Sequence, residues 1–474
     1  MVKELKADIC VIGGGSGGLS VAAGASQMGA STVLVEKGLM GGDCLNYGCV
    51  PSKALLAAAH AAENARNAHR FGVKTGPVQI DDQAVYRHVA DTIAAIAPLD
   101  SVERFEGLGV TVIQDAARFT GPTEITAGDV RIKARRVVVA TGSTPFVPPI
   151  AGIDDVPYLT NETIFGLVHL PDHLIVVGGG PIGIEMAQAH RHLGCRVTVL
   201  EAAIILPKDD PELVATLRRQ LVADGIDLRD GVKVVKVESD TDGVVAIIEN
   251  GDKQERIKGS HLLVAAGRRP SVAGLDLETA GIEYDGKGIK VDSRLRTTNR
   301  KVFAIGDVAG GYQFTHVAGY HAGIVIRNAL LRLPAKADYR AVPWVTYTAP
   351  ELAQVGLTEA QAKECHDDIR ILKFPFAEND RARAEGVTDG LIKVVTTKRG
   401  TVLGAGIVGP AAGDLIVPWV LALTKSLKIG AIAGMIVPYP TLSEVGKRAA
   451  GSFYTPSLFS ARMRMLVRFL AKFG

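Results

Sequence analysis

One pattern occurs twice in this chain, and it restricts the fold more than any other feature of the sequence. An apolar run, Ala7 to Ile12, leads into Gly13-Gly14-Gly15-Ser16-Gly17-Gly18, a helical stretch from Leu19 to Met28, and a second run, Thr32 to Val35, that ends in Glu36. Further on, Leu174 to Val177 leads into Gly178-Gly179-Gly180-Pro181-Ile182-Gly183, another helical stretch, and Arg196 to Leu200 ending in Glu201. In both copies the acid lies 23 positions past the first glycine. Short continuous apolar runs are strands buried on both faces. Gly13 and Gly178 permit the tight turn, Gly15 and Gly180 let the backbone approach a pyrophosphate, and Gly18 and Gly183 let the helix pack close to the strand. The helix N-terminus offers unpaired N–H groups and a positive dipole end to the phosphates. Glu36 and Glu201 can accept hydrogen bonds from a ribose diol. A lone glycine-rich turn is weak evidence; two copies in full strand–helix–strand–acid context imply two dinucleotides.

The 474 residues suggest about three domains of roughly 150 residues each. With 47% hydrophobic residues, 5% aromatics and 53 glycines, the composition suits α/β domains with tight strand-to-helix turns. A formal charge of +3 gives no dense basic face, so no nucleic-acid partner is expected. No secretory signal and no membrane span is read. The apolar stretch Leu415 to Val437 is interrupted by Pro418, Lys425 and Lys428. The expected compartment is the cytoplasm.

The five cysteines, Cys10, Cys44, Cys49, Cys195 and Cys365, are too few and too scattered for a secreted disulfide framework. Cys44 and Cys49 lie close together in Gly41-Gly42-Asp43-Cys44-Leu45-Asn46-Tyr47-Gly48-Cys49-Val50-Pro51-Ser52-Lys53. After Pro51 the chain reads as an alanine-rich helix to about Ala68, which puts Cys49 at its positive end and favours a thiolate. Four intervening residues is wrong for a zinc knuckle, no second ligand pair accompanies them, and no metal site is expected. Two unrelated buried thiols remain an alternative, but the surrounding glycines and the adjacent nucleotide module speak against it.

This segment resembles the active-site signature of the class I pyridine nucleotide–disulfide oxidoreductases, a family that includes dihydrolipoamide dehydrogenase, glutathione reductase and mercuric reductase. The likeness extends over essentially the whole chain. Ala140-Thr141-Gly142 and Ala266-Gly267-Arg268 resemble the two crossings between domains. Gly306-Asp307 resembles the second flavin motif, and Phe314-Thr315-His316 the segment contacting the isoalloxazine. The resemblance implies FAD in the first module and a nicotinamide dinucleotide in the second. Cys49 would face the flavin as a charge-transfer partner, and Cys44 would meet the acceptor. Lys53 would lie near flavin N5 and pair with Glu185. Asp307 would bind the ribityl chain; Gly42, Ala117, Thr141, Gly142, Thr315, His316 and Gly267 would complete the flavin and crossing contacts, with Ile182 on the nicotinamide dinucleotide. Glu201, followed by Ala202, Ala203 and Ile204 with no arginine, favours NAD(H) over NADP(H).

One departure stands out. Where the family's dehydrogenases carry His-Pro-T-x-x-E, this chain reads Tyr439-Pro440-Thr441-Leu442-Ser443-Glu444. A phenol with a reference pKa of about 10 donates a hydrogen bond but is a poor base at neutral pH. Exchange with lipoamide is expected to suffer, and Glu444 loses its imidazole partner. Mercuric reductase is similar in lacking that histidine, and Phe376 to Gly386 resembles it too. No cysteine follows Cys365 and no N-terminal metal-binding extension is read, so efficient Hg(II) reduction is not expected.

The expected architecture is α/β: two Rossmann-like dinucleotide-binding domains plus a C-terminal α+β dimerisation domain. Residues 1–150 completed by 271–342 would bind FAD, 151–270 NAD(P), and 343–474 would form a homodimer. Phe459 to Phe473 reads as a basic amphipathic tail, expected to pack on its own domain or a dimer partner, or to lie peripherally on the inner membrane face. The expected function is electron transfer between NAD(H), FAD and the Cys44–Cys49 disulfide. The alternatives are direct reduction of a quinone or metal ion with the disulfide as bystander, and a non-catalytic flavoprotein subunit.

Overall fold

The computed structural model describes residues 3–251 and 253–473. The chain divides into two compact units, one running to Gly178 and including His192–Ala202 and Val232–Asp338, the other made of Gly179–Arg191, Ala203–Gly231 and the chain from Tyr339 on.

The first unit is organised around strand Lys3–Ile12, whose last four residues are almost fully buried. Its neighbours are parallel: Thr32–Val35 on one side, itself flanked by Val110–Ile113, and Val130–Val139 on the other. The early half of Val130–Val139 pairs antiparallel with Glu124–Ala127; its last three residues pair in parallel with Val302–Ala304. One long strand therefore serves a hairpin at its start and a buried parallel sheet at its end. All these parallel strands end on one edge, where an open α/β sheet binds its ligand.

Helix Ser16–Gln27 begins inside the first glycine loop, three residues before the apolar periodicity starts at Leu19, because the small residues there leave the backbone free to turn at once. The second module repeats this with strands His173–Val177, Arg196–Glu201 and His261–Val264, all parallel. An antiparallel trio, Lys233–Asp240, Gly243–Asn250 and Lys253–Gly259, follows in the chain. The two crossings are stitched together. Ser143–Pro145 pairs antiparallel with Arg268–Pro270, Thr141 Oγ1 donates to the Ser271 carbonyl at 2.7 Å, and the Phe146 N–H donates to the Gly267 carbonyl at 2.9 Å.

The second unit holds a five-stranded antiparallel sheet in the order Pro343–Thr346, Glu351–Gly356, Val402–Gly409, Leu391–Thr397, Ile369–Pro375. Trp419 and Phe376 are fully buried in its core. Helix Pro211–Ala223 packs on the same sheet. The tail helix is shorter than its periodicity implies, Ala461–Leu470, because the Ser460 hydroxyl caps it by accepting from the Met463 N–H at 3.2 Å. It buries none of its residues: Met465, Leu466, Val467, Phe469 and Leu470 are all exposed, so the tail does not dock on its own chain. Among the described residues no helix is long and apolar enough to cross a membrane.

Candidate active site

The cysteine segment forms two consecutive helical turns. Gly42–Asn46 is a short helix carrying Cys44, which sequence periodicity does not reveal; it closes when the Tyr47 N–H reaches the Asp43 carbonyl at 2.8 Å. The long helix starts at Cys49, two residues earlier than Pro51 alone implies, and runs to Asn67. Proline is tolerated anywhere in the first turn, where N–H groups have no helical partner. Gly48 precedes the helix and supplies no capping side chain, so the helix's positive end falls on Cys49 itself.

Both cysteines are free thiols in this structure. The hydrogen bond from Cys44, then the Thr315 hydroxyl at 3.5 Å and the charge of Lys53, hold the Cys49 thiol down at about 6 against the opposing effect of burial. The same hydrogen bond pushes Cys44 well above the ordinary thiol range. One proton is thus shared between two sulfurs, and Cys49 carries the negative charge at neutral pH. Replacing Cys44 by Ser keeps a donor and should leave the Cys49 inflection near pH 6. Cys44→Ala removes the donor and should move it up by about one pH unit, the worth of a charged hydrogen bond. The pH titration of the thiolate's long-wavelength absorbance against bound flavin measures both; equal inflections would assign the lowering to Lys53 and Thr315 alone.

Around the pair runs a polar chain that the sequence does not announce. The Arg268 guanidinium lies 3.0 Å from the Asp43 carboxylate and donates to the Ser143 hydroxyl and carbonyl at 2.7 and 2.8 Å. The Ser143 hydroxyl in turn donates to Asp307 at 2.6 Å, and Asn161 donates to Asp43 at 3.0 Å and to the Tyr47 carbonyl at 3.1 Å. Burial raises the Asp307 carboxyl, partly offset by that hydroxyl and by Arg268. The chain ties the cysteine turn to both crossings and to the second flavin motif. Arg268 belongs to the second crossing, Ala266-Gly267-Arg268, and Asp43 directly precedes Cys44, but their spacing in the sequence does not show that they pair. His321, buried in helix Thr315–Ala329, accepts the Gly306 N–H at 3.1 Å; burial holds its imidazole down at about 4, so it stays neutral and fixes Asp307's turn.

The glycine loops fit dinucleotides. Gly13 and Gly178 have φ of +109° and +113°, and a Cβ on either would meet the next strand's carbonyl oxygen, Ala140 or Ala265, at 2.4 Å. Those glycines are required by the fold. At Gly180 a Cβ would meet nothing within 4 Å, and at Gly15 only one atom at 3.9 Å, so the chain itself does not demand glycine there. A group from outside the chain has room to come close to the backbone at both. No side chain caps helix Ser16–Gln27 and no acid lies in its first turn, which leaves donors for a pyrophosphate. Glu36 is held across the loop mouth by the Gly14 and Gly38 N–H groups at 2.5 and 2.6 Å.

Other expected residues fall as follows. Gly42 sits at φ +59° against Gly15. Thr315 opens its helix, and the ring of His316 stacks on Phe314. Ala117 turns its side chain into the core, so any ligand contact there is through the backbone. Lys53 lies one turn after Cys49. In the second unit, Pro181–His192 carries Ile182, Gly183 and Glu185, and Glu185 accepts the Tyr347 N–H at 2.9 Å. Glu201 ends its strand. Tyr439 is exposed and donates to Asp380 at 3.0 Å, which raises its pKa further; Glu444 opens helix Glu444–Ser452, 4.0 Å from Arg448.

A family model described as pyridine nucleotide-disulphide oxidoreductase matches residues 7–322, and one described as the dimerisation domain of the same family matches 342–450. The chain is 35% identical over 454 residues to a mercuric reductase of Streptomyces lividans, covering 94% of this chain and 96% of that one. It is 37% identical over 461 residues to a dihydrolipoyl dehydrogenase of Thermus scotoductus, covering 95% and 98%. The crystal structure of LpdA from Mycobacterium tuberculosis is similar with a TM-score of 0.86, 28% identity and coverage of 95% and 99%.

Proposed function

The chain belongs to the pyridine nucleotide-disulphide oxidoreductase family, and from that premise we propose how its residues divide the work and what they reduce. It is an FAD-dependent, NAD(P)H-linked flavin disulfide oxidoreductase with the family's dimerisation domain. FAD, when bound, would supply the route by which a hydride equivalent from the nicotinamide reaches the Cys44–Cys49 disulfide. The electron pair and single proton of that hydride equivalent suffice to open the S–S bond to the Cys49 thiolate and the Cys44 thiol, with no further proton needed. The placement of Cys49 at the start of helix Cys49–Asn67, five positions after Cys44 and 3.5 Å from the Thr315 hydroxyl, is the observation that carries this reading.

We assign Lys53 and Glu185 to stabilising charge on the reduced flavin, Glu36 and Glu201 to the ribose diols, and Asp307 to the ribityl chain. The domain division follows the same assignment: 1–150 with 271–342 for FAD, 151–270 for NAD(H), and 343–474 for a homodimer. Glu201 repels a 2′-phosphate, so NAD(H) is the proposed nicotinamide.

Cys44 must lose its proton before it can attack an acceptor disulfide, and Tyr439 is already committed as donor to Asp380. This favours an acceptor that does not depend on an external base. A soft metal ion, such as the one named for the mercuric reductases, displaces a thiol proton itself; a quinone on an anionic membrane, met through the exposed tail, needs no thiol. One experiment separates these. Anaerobic turnover with NADH and NADPH is run against lipoamide, glutathione disulfide, Hg(II), and a quinone in anionic vesicles, with wild type, Cys44→Ser, and a variant ending before Phe459. The expected result is an NADH preference above about tenfold and turnover, faster with the metal ion than with either disulfide, that Cys44→Ser abolishes. Quinone turnover unaffected by Cys44→Ser but lost with the tail would replace that reading by the bystander one.

A further inference from the structure

A second polar concavity lies in the first unit, at the opposite end of the sheet from the cysteines. It is a cleft of about 230 Å³ lined by Arg136, Arg294, Arg296, Arg300 and Arg332, with Phe303, Leu333 and Pro334 as its apolar wall. Arg136 and Phe303 stand on strands Val130–Val139 and Val302–Ala304, which run away from the cleft towards Thr141 and Asp307. Thr141 lies five residue steps beyond Arg136, about 16 Å at roughly 3.3 Å per extended step, so this is not an extension of the flavin loop.

Five arginines line this cleft, Arg300 and Arg332 of them exposed to solvent, and among the described residues one carboxylate pairs with any of them: Asp292 accepts from Arg296 Nη2 at 2.6 Å and Nε at 2.9 Å. Arg136 donates to the Arg135 carbonyl, while Arg135 itself pairs with Asp8. For Arg294, Arg300 and Arg332 the described residues supply no acidic partner. Arg136, Arg294 and Arg296 are half-buried, which limits how far water can screen them. A chain of nearly balanced charge has gathered an excess of fork-shaped donors in one hollow, where they repel one another unless an anion sits between them. Guanidinium forks match phosphate oxygens bidentately.

We propose that this cleft binds a small phosphorylated molecule, its phosphates on Arg294, Arg296 and Arg300 and a compact apolar portion against Leu333 and Pro334. The hollow has room for a diphosphate or a phosphate ester. The site is separate from the two glycine loops, and its test is separate from the redox reading.

The test uses the full chain with FAD bound and the nicotinamide site saturated with NAD. Inorganic pyrophosphate is titrated by calorimetry at constant ionic strength, with sulfate as a parallel probe. The expected result is one pyrophosphate per chain, at least tenfold tighter than sulfate, falling at least tenfold in Arg294→Gln/Arg300→Gln. Melting of the wild type should rise with pyrophosphate and that of the double variant should not. Neither residue belongs to the redox machinery, so NADH-dependent turnover of the variant should equal wild type and confirm that it is folded. Equal affinity of wild type and variant, equal affinity for sulfate and pyrophosphate, or no heat at millimolar probe would each overturn the proposal.

Discussion

Cys49→Ser should lose disulfide reduction by at least about 1000-fold while still binding FAD and still being bleached by NADH. The physical reason is the asymmetry of the pair. A serine hydroxyl has the size and hydrogen-bonding reach of the thiol but forms no S–S bond and does not ionise near neutral pH. The helix that starts at position 49 gains nothing from a neutral hydroxyl where it had stabilised a thiolate. Structure should be unaffected, since a serine hydroxyl can keep the hydrogen bonds that Cys49 makes with Cys44 and Thr315. Stopped-flow reduction by NADH followed by a disulfide-chase separates the two half-reactions. Retained flavin reduction with no onward transfer is the expected split; a variant that still reduces a disulfide at a tenth of the wild-type rate would remove Cys49 from the electron path.

Much of this arrangement is legible in the sequence because it is local. A strand, a glycine loop, a helix start and an acid lie within two dozen residues, and each has a backbone reason that composition makes visible. The cysteine segment is equally local, although Gly42–Asn46 is too short for any period to reveal and the helix start at Cys49 is masked by a proline that three positions tolerate. What stays hidden are pairings between distant segments. Asp43 meets Arg268 and Ser143 meets Asp307 only because two crossings return the chain to the same edge of one sheet. Arg294, Arg296 and Arg300 read as solvated surface charge until the fold curls Arg136 and Arg332 round to face them. The tail periodicity gave a helix; it could not tell that the helix stays undocked on its own chain.

Lys393→Met should destabilise the second unit by about 3–5 kcal/mol, the cost of stranding buried charge. On sequence alone Lys393 is an ordinary strand residue of Leu391–Thr397. In the fold it is 6% exposed and its ammonium lies 2.9, 3.0 and 2.7 Å from Asp210, Glu212 and Glu359. Methionine fills the space but leaves the Asp210 carboxylate, 5% exposed, without its cation. Asp210 also caps helix Pro211–Ala223 by accepting the Glu212 N–H at 3.0 Å, and asparagine caps as well as aspartate. The double variant Lys393→Met/Asp210→Asn should therefore recover most of the loss, which a simple packing defect would not. The pH dependence has a definite sign. Hydrogen bonds from Lys363 and Lys393 hold the Glu359 carboxyl down at about 2, and Lys373 and Lys393 lower Glu212 against its burial. Depressed carboxyls give stability that is complete above their ordinary range and is lost as pH falls through the folded values. The gap in melting temperature between wild type and Lys393→Met should be widest near pH 7 and narrow towards pH 3; a gap independent of pH would mean that the lysine acts through its alkyl chain rather than its charge.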